Sequence, residues 1–241
     1  MSAAHRVLSP HETDPAAKGR CALAIMTKVP RAGRVKTRLT PPLTPDEAAA
    51  LNICFLRDTA AAIAAAGETA QGVGCYTPVG EEEAYATIFP RDFLLIPQTE
   101  GSFGERLLSA MRDLFGVGFA SVCLIDSDSP TVPASTFAEA ARILSQPNDT
   151  IVLGPSDDGG YYLIGMNQMH PEVFAGIDWS TERALEQTQQ RAAEAGLAVR
   201  LLPTGFDVDN EATFRRLQDE LCSPNALRAP VTAEFLRGYC R

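Results

Sequence analysis

The stretch CALAIMTKVPRAGRVKTRL, residues 21–39, decides the fold: an apolar run from Cys21 to Met26 passes directly into a loop dense in cations. A short apolar run bounded by a turn reads as a buried strand, which delivers the loop to the carboxyl edge of a sheet. Gly33 permits a tight turn there, and Lys28, Arg31, Arg34, Lys36 and Arg38 can surround a polyphosphate. The spacing GxxxxGK[ST] is absent and no GxGxxG follows the strand, so neither the Walker loop nor the dinucleotide fingerprint accounts for the cluster. Basic runs also form solvated faces, and spacing alone leaves phosphate binding and a solvated loop evenly matched.

Working outward, Thr44-Pro45-Asp46-Glu47 spells a capping box with Pro at the first helical position, and an Ala-rich run continues that helix to about residue 66. Strands are expected over 69–78, 93–97, 120–125, 150–154 and 197–203, with a further apolar run at 161–166. Helices are expected over 81–89, 104–115, 135–144, 180–195 with Ser180 as cap, and 210–221 with Asn210 as cap. This alternation predicts an α/β fold, a single three-layer α/β/α domain over 20–222 with a mostly parallel mixed sheet. Residues 1–19 read as a flexible tail and residues 223–241 as a C-terminal tail or helix.

The composition narrows the function classes. The 241 residues are 45% hydrophobic and 21% charged, enough for one sizeable core. A net charge of −9 argues against nucleic acid or an anionic membrane as partner and points to small-molecule chemistry. The six cysteines form no CxxC and read as reduced core residues, and the three histidines lack the spacing of zinc ligands. No apolar run approaches the roughly 20 residues of a membrane span, and residues 1–18 lack a signal-peptide core, so a cytoplasmic protein is expected.

Three acidic motifs carry the remaining chemistry. In LIDSDSP (Leu124–Pro130) a strand runs into Asp126 and Asp128, oxygen donors suited to Mg²⁺ or Mn²⁺, although such a string is more often only a turn. In GPSDDGGYYLIG (Gly154–Gly165) the glycines allow close backbone approach to a ligand and Asp157 and Asp158 can contact it, while a Gly-rich hairpin is the structural alternative. In FDVDN (Phe206–Asn210) Asp209 could complete a metal site, or either aspartate could serve only as a helix N-terminal charge. No GxSxG elbow is present, and Trp179 reads more readily as packing than as a stacking platform.

Taken in order, KVPRAGRVKTRL, GSFGERL, SDSP, GPSDDGGYYLIG, IDWST and DVDN resemble the bacterial family known as domain of unknown function 2064, over about Ala22 to Leu221. Members are often labelled glycosyltransferases associated with radical-SAM or arsenosugar genes. The resemblance implies a GT-A fold, the nucleotide-diphospho-sugar transferase architecture. The segment GRVKTRLTPPLTPDEAAAL also looks like the amino-terminal signature of phospholactate guanylyltransferases, and DVDN is similar to the late Asp motif of CMP-Kdo synthetases. The family pattern carries Gly where this chain has Asp126, and the commoner DVDT is DVDN here.

These likenesses imply a nucleotide-utilising transferase. Lys28, Gly33, Lys36, Arg38 and Ser127 are the expected nucleotide contacts, with Lys36, Arg38 and Asp128 catalytic. Asp126, Asp128 and Asp209 are the expected ligands of Mg²⁺ or Mn²⁺, and Asp157, Asp158, Gly159, Gly160 and Tyr161 the acceptor site. Nucleotidyl transfer to a small anionic acceptor is the leading expectation. Glycosyl transfer from a nucleotide-sugar and a non-catalytic nucleotide-binding protein are the alternatives.

Overall fold

The computed structural model describes residues 5–222 and 228–239. Eight strands form one sheet: β1 (Arg6–Val7), β2 (Cys21–Lys28), β3 (Ala70–Thr77), β4 (Leu94–Pro97), β5 (Ser121–Ile125), β6 (Thr150–Pro155), β7 (Tyr161–Met166) and β8 (Ala198–Leu201). Their spatial order is β1-β4-β3-β2-β5-β7-β6-β8. β2 lies near the middle, parallel to β3 and β5, and all of its residues but the half-buried Met26 and the exposed Lys28 are buried. β7 pairs antiparallel with both β5 and β6, so it alone runs against the other described strands. The reversal brings the turn at 156–160 to the edge where β2 and β5 end.

Two helices, α1 (Pro45–Ala64) and α3 (Ala134–Leu144), cover one face; α2 (Phe103–Val117) and α4 (Ala184–Glu194) cover the other. The capping box expected at Thr44 forms, its hydroxyl accepting from the Glu47 amide, and Ser102 and Glu105 build a second one. Asn210 caps α5 (Glu211–Leu221) as expected. Ser180 does not cap α4: it sits at φ +62° beside the partly buried Trp179, and the helix starts only at Ala184, whose amide donates to the Thr181 carbonyl in a preceding turn.

The expected amino-terminal tail is packed from His5 onward. Arg6 and Val7 pair with Leu94 and Leu95, Leu8 and Ala17 are buried, and the His5 ring bonds the carbonyls of Phe93 and Tyr85. A two-residue strand and a lone His give no periodic signal, which is why the segment reads as loose. Residues 1–4 lie outside the described residues.

At the other end, α6 (Pro230–Leu236) joins Phe55, Phe206 and Phe214 in a third apolar cluster. Buried Asp58 on α1 accepts from the amides of Val231 and Thr232 and from the Thr232 hydroxyl. The carboxylate thus satisfies the free donors that open a helix. Asp58→Ala is expected to cost about 3 kcal/mol in urea unfolding with an unchanged m-value. A loss below about 1 kcal/mol would mean that α6 docks through apolar contacts alone. The remainder of the expected C-terminal segment, 223–227 and 240–241, lies outside the described residues. Cys21, Cys54, Cys75 and Cys123 are buried free thiols as expected; Cys222 departs from that expectation and is disulfide-bonded.

His170, between β7 and α4, meets Asp149 at 2.8 Å and Glu172 at 3.0 Å. Burial opposes its charge, but bonds to Glu172 and Asp149 outweigh that and raise its pKa above the ordinary 6.5. A raised folded value means that the contribution is complete below the unfolded value of about 6.5 and fades as pH climbs through the folded one. The stability gap between the parent and His170→Gln should therefore be full below the unfolded value and close as pH rises through the raised folded one, as pH-dependent urea titrations would reveal. A gap that widens with pH would refute the assignment.

Candidate active site

The carboxyl ends of β2, β3, β4 and β5 open into a cleft of about 570 Å³, which adjoins a smaller cavity of about 290 Å³. Lys28, Arg38, Ser127, Asp128 and Asp209 line both. Lys28 ends β2, and the loop after it turns at Gly33, whose φ of +71° suits glycine. Gly33 shapes the loop without lining the cleft. Arg31 is drawn off to Glu81 at 2.5 Å, whereas Arg34, Lys36 and Arg38 face the smaller cavity.

Lys36 is the hub. Its ammonium donates to Asp128 Oδ1 at 2.8 Å, Asp209 Oδ1 at 3.0 Å and the Val208 carbonyl at 2.7 Å, and its side chain is 4% exposed. Burial works against the charge, yet the two carboxylates prevail and lift its pKa above the usual lysine value. The pair is delivered by a strand end and a helix start: Asp128 follows β5, and Asp209 immediately precedes the Asn210 cap of α5, with the Val208 amide donating to the Asp128 carbonyl at 3.0 Å.

Asp126 lies deeper. Its Oδ2 accepts from the Ser129 hydroxyl at 2.7 Å and its Oδ1 from the Asp128 amide at 3.3 Å. Burial, then the neighbouring Asp128 charge, pushes its carboxyl well above the usual carboxylate range. Its oxygens shape the turn, whereas Asp128 and Asp209 converge on one point, now the Lys36 ammonium. Two carboxylates about 3 Å from a common cation position are oxygen donors of the kind a hard divalent ion takes from protein, the rest of its shell coming from substrate and water, and the described residues hold no group of three His, Cys, Asp or Glu side chains that could bind a metal alone.

The glycine loop is also split in use. Asp158, Gly160 and Tyr161 line the cleft, but the Asp157 carboxylate pairs with Arg216 and turns away. Gly159 is fixed against the start of α4: its φ is +88°, a Cβ there would stand 2.1 Å from the Glu182 carbonyl oxygen, and its carbonyl accepts from the Leu185 amide at 3.0 Å.

Several lining residues escaped the sequence reading. Asp207 accepts from the Ser156 hydroxyl at 3.0 Å, and burial together with the Asp158 and Asp209 charges raises its pKa. Gln98 ties β2 to β3 through the Thr27 and Cys75 carbonyls and accepts from Arg106 at 3.3 Å. The Arg106 Nε is buried without a hydrogen-bond partner, and its guanidinium lies 5.7 Å from the Phe103 ring centroid. Phe103 stands edge-on to Trp179 at 5.5 Å, so Trp179 both packs and lines the cleft. The signal was there in GSFGERL, whose Phe and Arg fall three residues apart on the first turns of α2.

This arrangement of strands, with its cleft at the carboxyl edge, is the fold of the nucleotide-diphospho-sugar transferases. The chain is 30% identical to a candidate nucleotide-diphospho-sugar transferase of Desulfovibrio desulfuricans G20, with a TM-score of 0.82 over 92% of this chain and 95% of that one. Residues 59–181 match DUF2064, described as an uncharacterized protein conserved in bacteria, and the chain belongs to that family. A nucleotidyl transferase from Methanothermobacter thermautotroptrophicus shares the fold at 15% identity and a TM-score of 0.54, over 91% of this chain and 99% of that one. So does CMP:2-keto-3-deoxy-manno-octonic acid synthetase bound to CTP, at 12% and 0.52, over 82% and 96%. No curated protein sequence matches the chain. No described helix is long and apolar enough to cross a membrane.

Proposed function

We propose that this chain is a nucleotide-utilising transferase, and specifically a nucleotidyltransferase that joins a nucleoside triphosphate to a small anionic acceptor. The observation that carries this reading is the meeting of Lys28, Arg34 and Arg38 with Asp128 and Asp209 around one pair of adjoining cavities. Lys28, Arg34 and Arg38 hold the phosphates. An acceptor oxygen forms a bond to the α-phosphorus, the bond to the bridging oxygen breaks, and pyrophosphate leaves with its electron pair. Asp128 and Asp209 would hold Mg²⁺ or Mn²⁺, which when bound offsets the charge growing on phosphate oxygens. An acceptor that is already an anion needs no general base, and positioning by the cations supplies the catalysis. The Asp158–Tyr161 side of the cleft receives the acceptor.

Glycosyl transfer from a nucleotide-sugar is the second reading, favoured by one observation: Asp158, unlike Asp157, faces the cleft as a carboxylate available to a hydroxyl nucleophile. The deciding assay measures pyrophosphate release from each of the four nucleoside triphosphates with Mg²⁺ and pooled phosphorylated acceptors, beside Asp128→Ala. Acceptor-dependent release that disappears in the variant supports nucleotidyl transfer. Nucleoside diphosphate freed from nucleotide-sugars would replace it with glycosyl transfer, and binding without turnover would make the chain a non-catalytic nucleotide-binding protein.

Arg106 and the Phe103 ring both line the cleft, where the guanidinium of the half-buried Arg106 suits a polar acceptor on the ligand. Arg106→Ala should raise KM for one substrate by roughly 10- to 100-fold with kcat little changed, the usual worth of a charged hydrogen bond. An unchanged KM for both substrates would exclude contact.

A further inference from the structure

The three donors of the Lys36 ammonium are all spent on Asp128, Asp209 and Val208, and the oxygens it takes from the two aspartates are the ones that converge on a single cation position. Two cations about 3 Å from the same pair of oxygens repel each other, and the repulsion is felt most by the Lys36 ammonium, whose side chain is 4% exposed while Asp128 and Asp209 open onto the cavities. We infer that Lys36 is a built-in counter-cation that holds the Asp128–Asp209 pair in the free protein and must leave when a divalent cation binds there. The inference rests on the reading of Asp128 and Asp209 as the cation-binding pair, and holds for nucleotidyl and glycosyl transfer alike.

Lys36 has the means to leave. It stands at φ +47°, ψ +36°, a left-handed conformation that a non-glycine residue keeps only while its surroundings hold it there. Its own residue lines the smaller cavity beside Lys28, Arg34 and Arg38, where a bound phosphate would accept the displaced ammonium. Cation and phosphate ligand therefore favour each other: the cation frees Lys36 for the phosphate, and the phosphate stabilises Lys36 away from the carboxylates.

The test is Mn²⁺ binding to the nucleotide-free protein, followed by the electron paramagnetic resonance of free Mn²⁺. Lys36→Met should bind Mn²⁺ at least about tenfold more tightly than the parent, a typical coupling, and adding Asp209→Asn should remove the gain. Equal or weaker binding by Lys36→Met would overturn the inference. A second readout needs no variant. The chain has three lysines, Lys18, Lys28 and Lys36, so amine acylation can be mapped peptide by peptide. In the parent protein Lys36 should label slowly, and Mn²⁺ should speed its labelling several-fold relative to Lys18. Lys36 labelling that stays flat or slows across the Mn²⁺ titration overturns the inference even if Lys36→Met fails to fold. Pyrophosphate release reports separately on the proposed reaction, so the two ideas fail independently.

Discussion

Asp128→Asn is expected to lower kcat/KM for nucleotidyl transfer by about three orders of magnitude while leaving the protein folded, the scale seen when a preorganised electrostatic group is removed from a site. The substitution keeps the shape of the side chain and removes only its charge. Lys36 still has Asp209 and the Val208 carbonyl as partners, so the buried ammonium is not stranded. Ser127 can still donate to the side-chain oxygen that it meets at 3.0 Å. The loss should therefore appear in turnover, with a melting temperature within a few degrees of the parent. Retention of more than a tenth of the parental kcat/KM would remove Asp128 from the chemistry and leave Asp209 as the candidate carboxylate.

The second large effect is on stability. Gly159→Ala should cost roughly 4 kcal/mol, combining left-handed backbone strain with a clash that neither side can relieve cheaply. The opposing atom is a backbone carbonyl, Glu182 O, 2.1 Å from the added Cβ, so no flexible side chain can swing aside. The loop can only move as a unit, breaking the bond from the Leu185 amide to the Gly159 carbonyl. Gly160 and Tyr161 would follow, and both line the cleft. Urea unfolding together with acceptor KM measures the two consequences. A variant within about 1 kcal/mol of the parent would show that the loop is not held against α4 as described.

The physical content of the sequence was uneven along the chain. Helix α1 was readable from residues within one turn of each other, since Thr44 and Glu47 cap each other's backbone. β2 was readable because it is apolar from Cys21 to Met26 and ends in charge. The amino-terminal strand and the late start of α4 were not, because Arg6–Val7 owes its pairing to Leu94 and Leu95, and Ser180 lies in a turn beside the partly buried Trp179. Asp157 and Asp158 look alike in sequence, and only Arg216 on α5 separates them by drawing Asp157 out of the cleft.

By itself the sequence determined the alternation of strands and helices, the cationic loop after β2, and the acidic motifs after β5 and before α5, all of which follow from local period, capping and turn chemistry. Tertiary structure decided which of these meet. Lys36 and Asp209 are 173 residues apart, and their contact exists because β5 and the segment before α5 end side by side at the sheet's carboxyl edge. The reversal of β7 adds the glycine turn to that edge, and burial then fixes which charges must pair. Partner choice at such distances depends on crossovers and strand order, which no local pattern encodes.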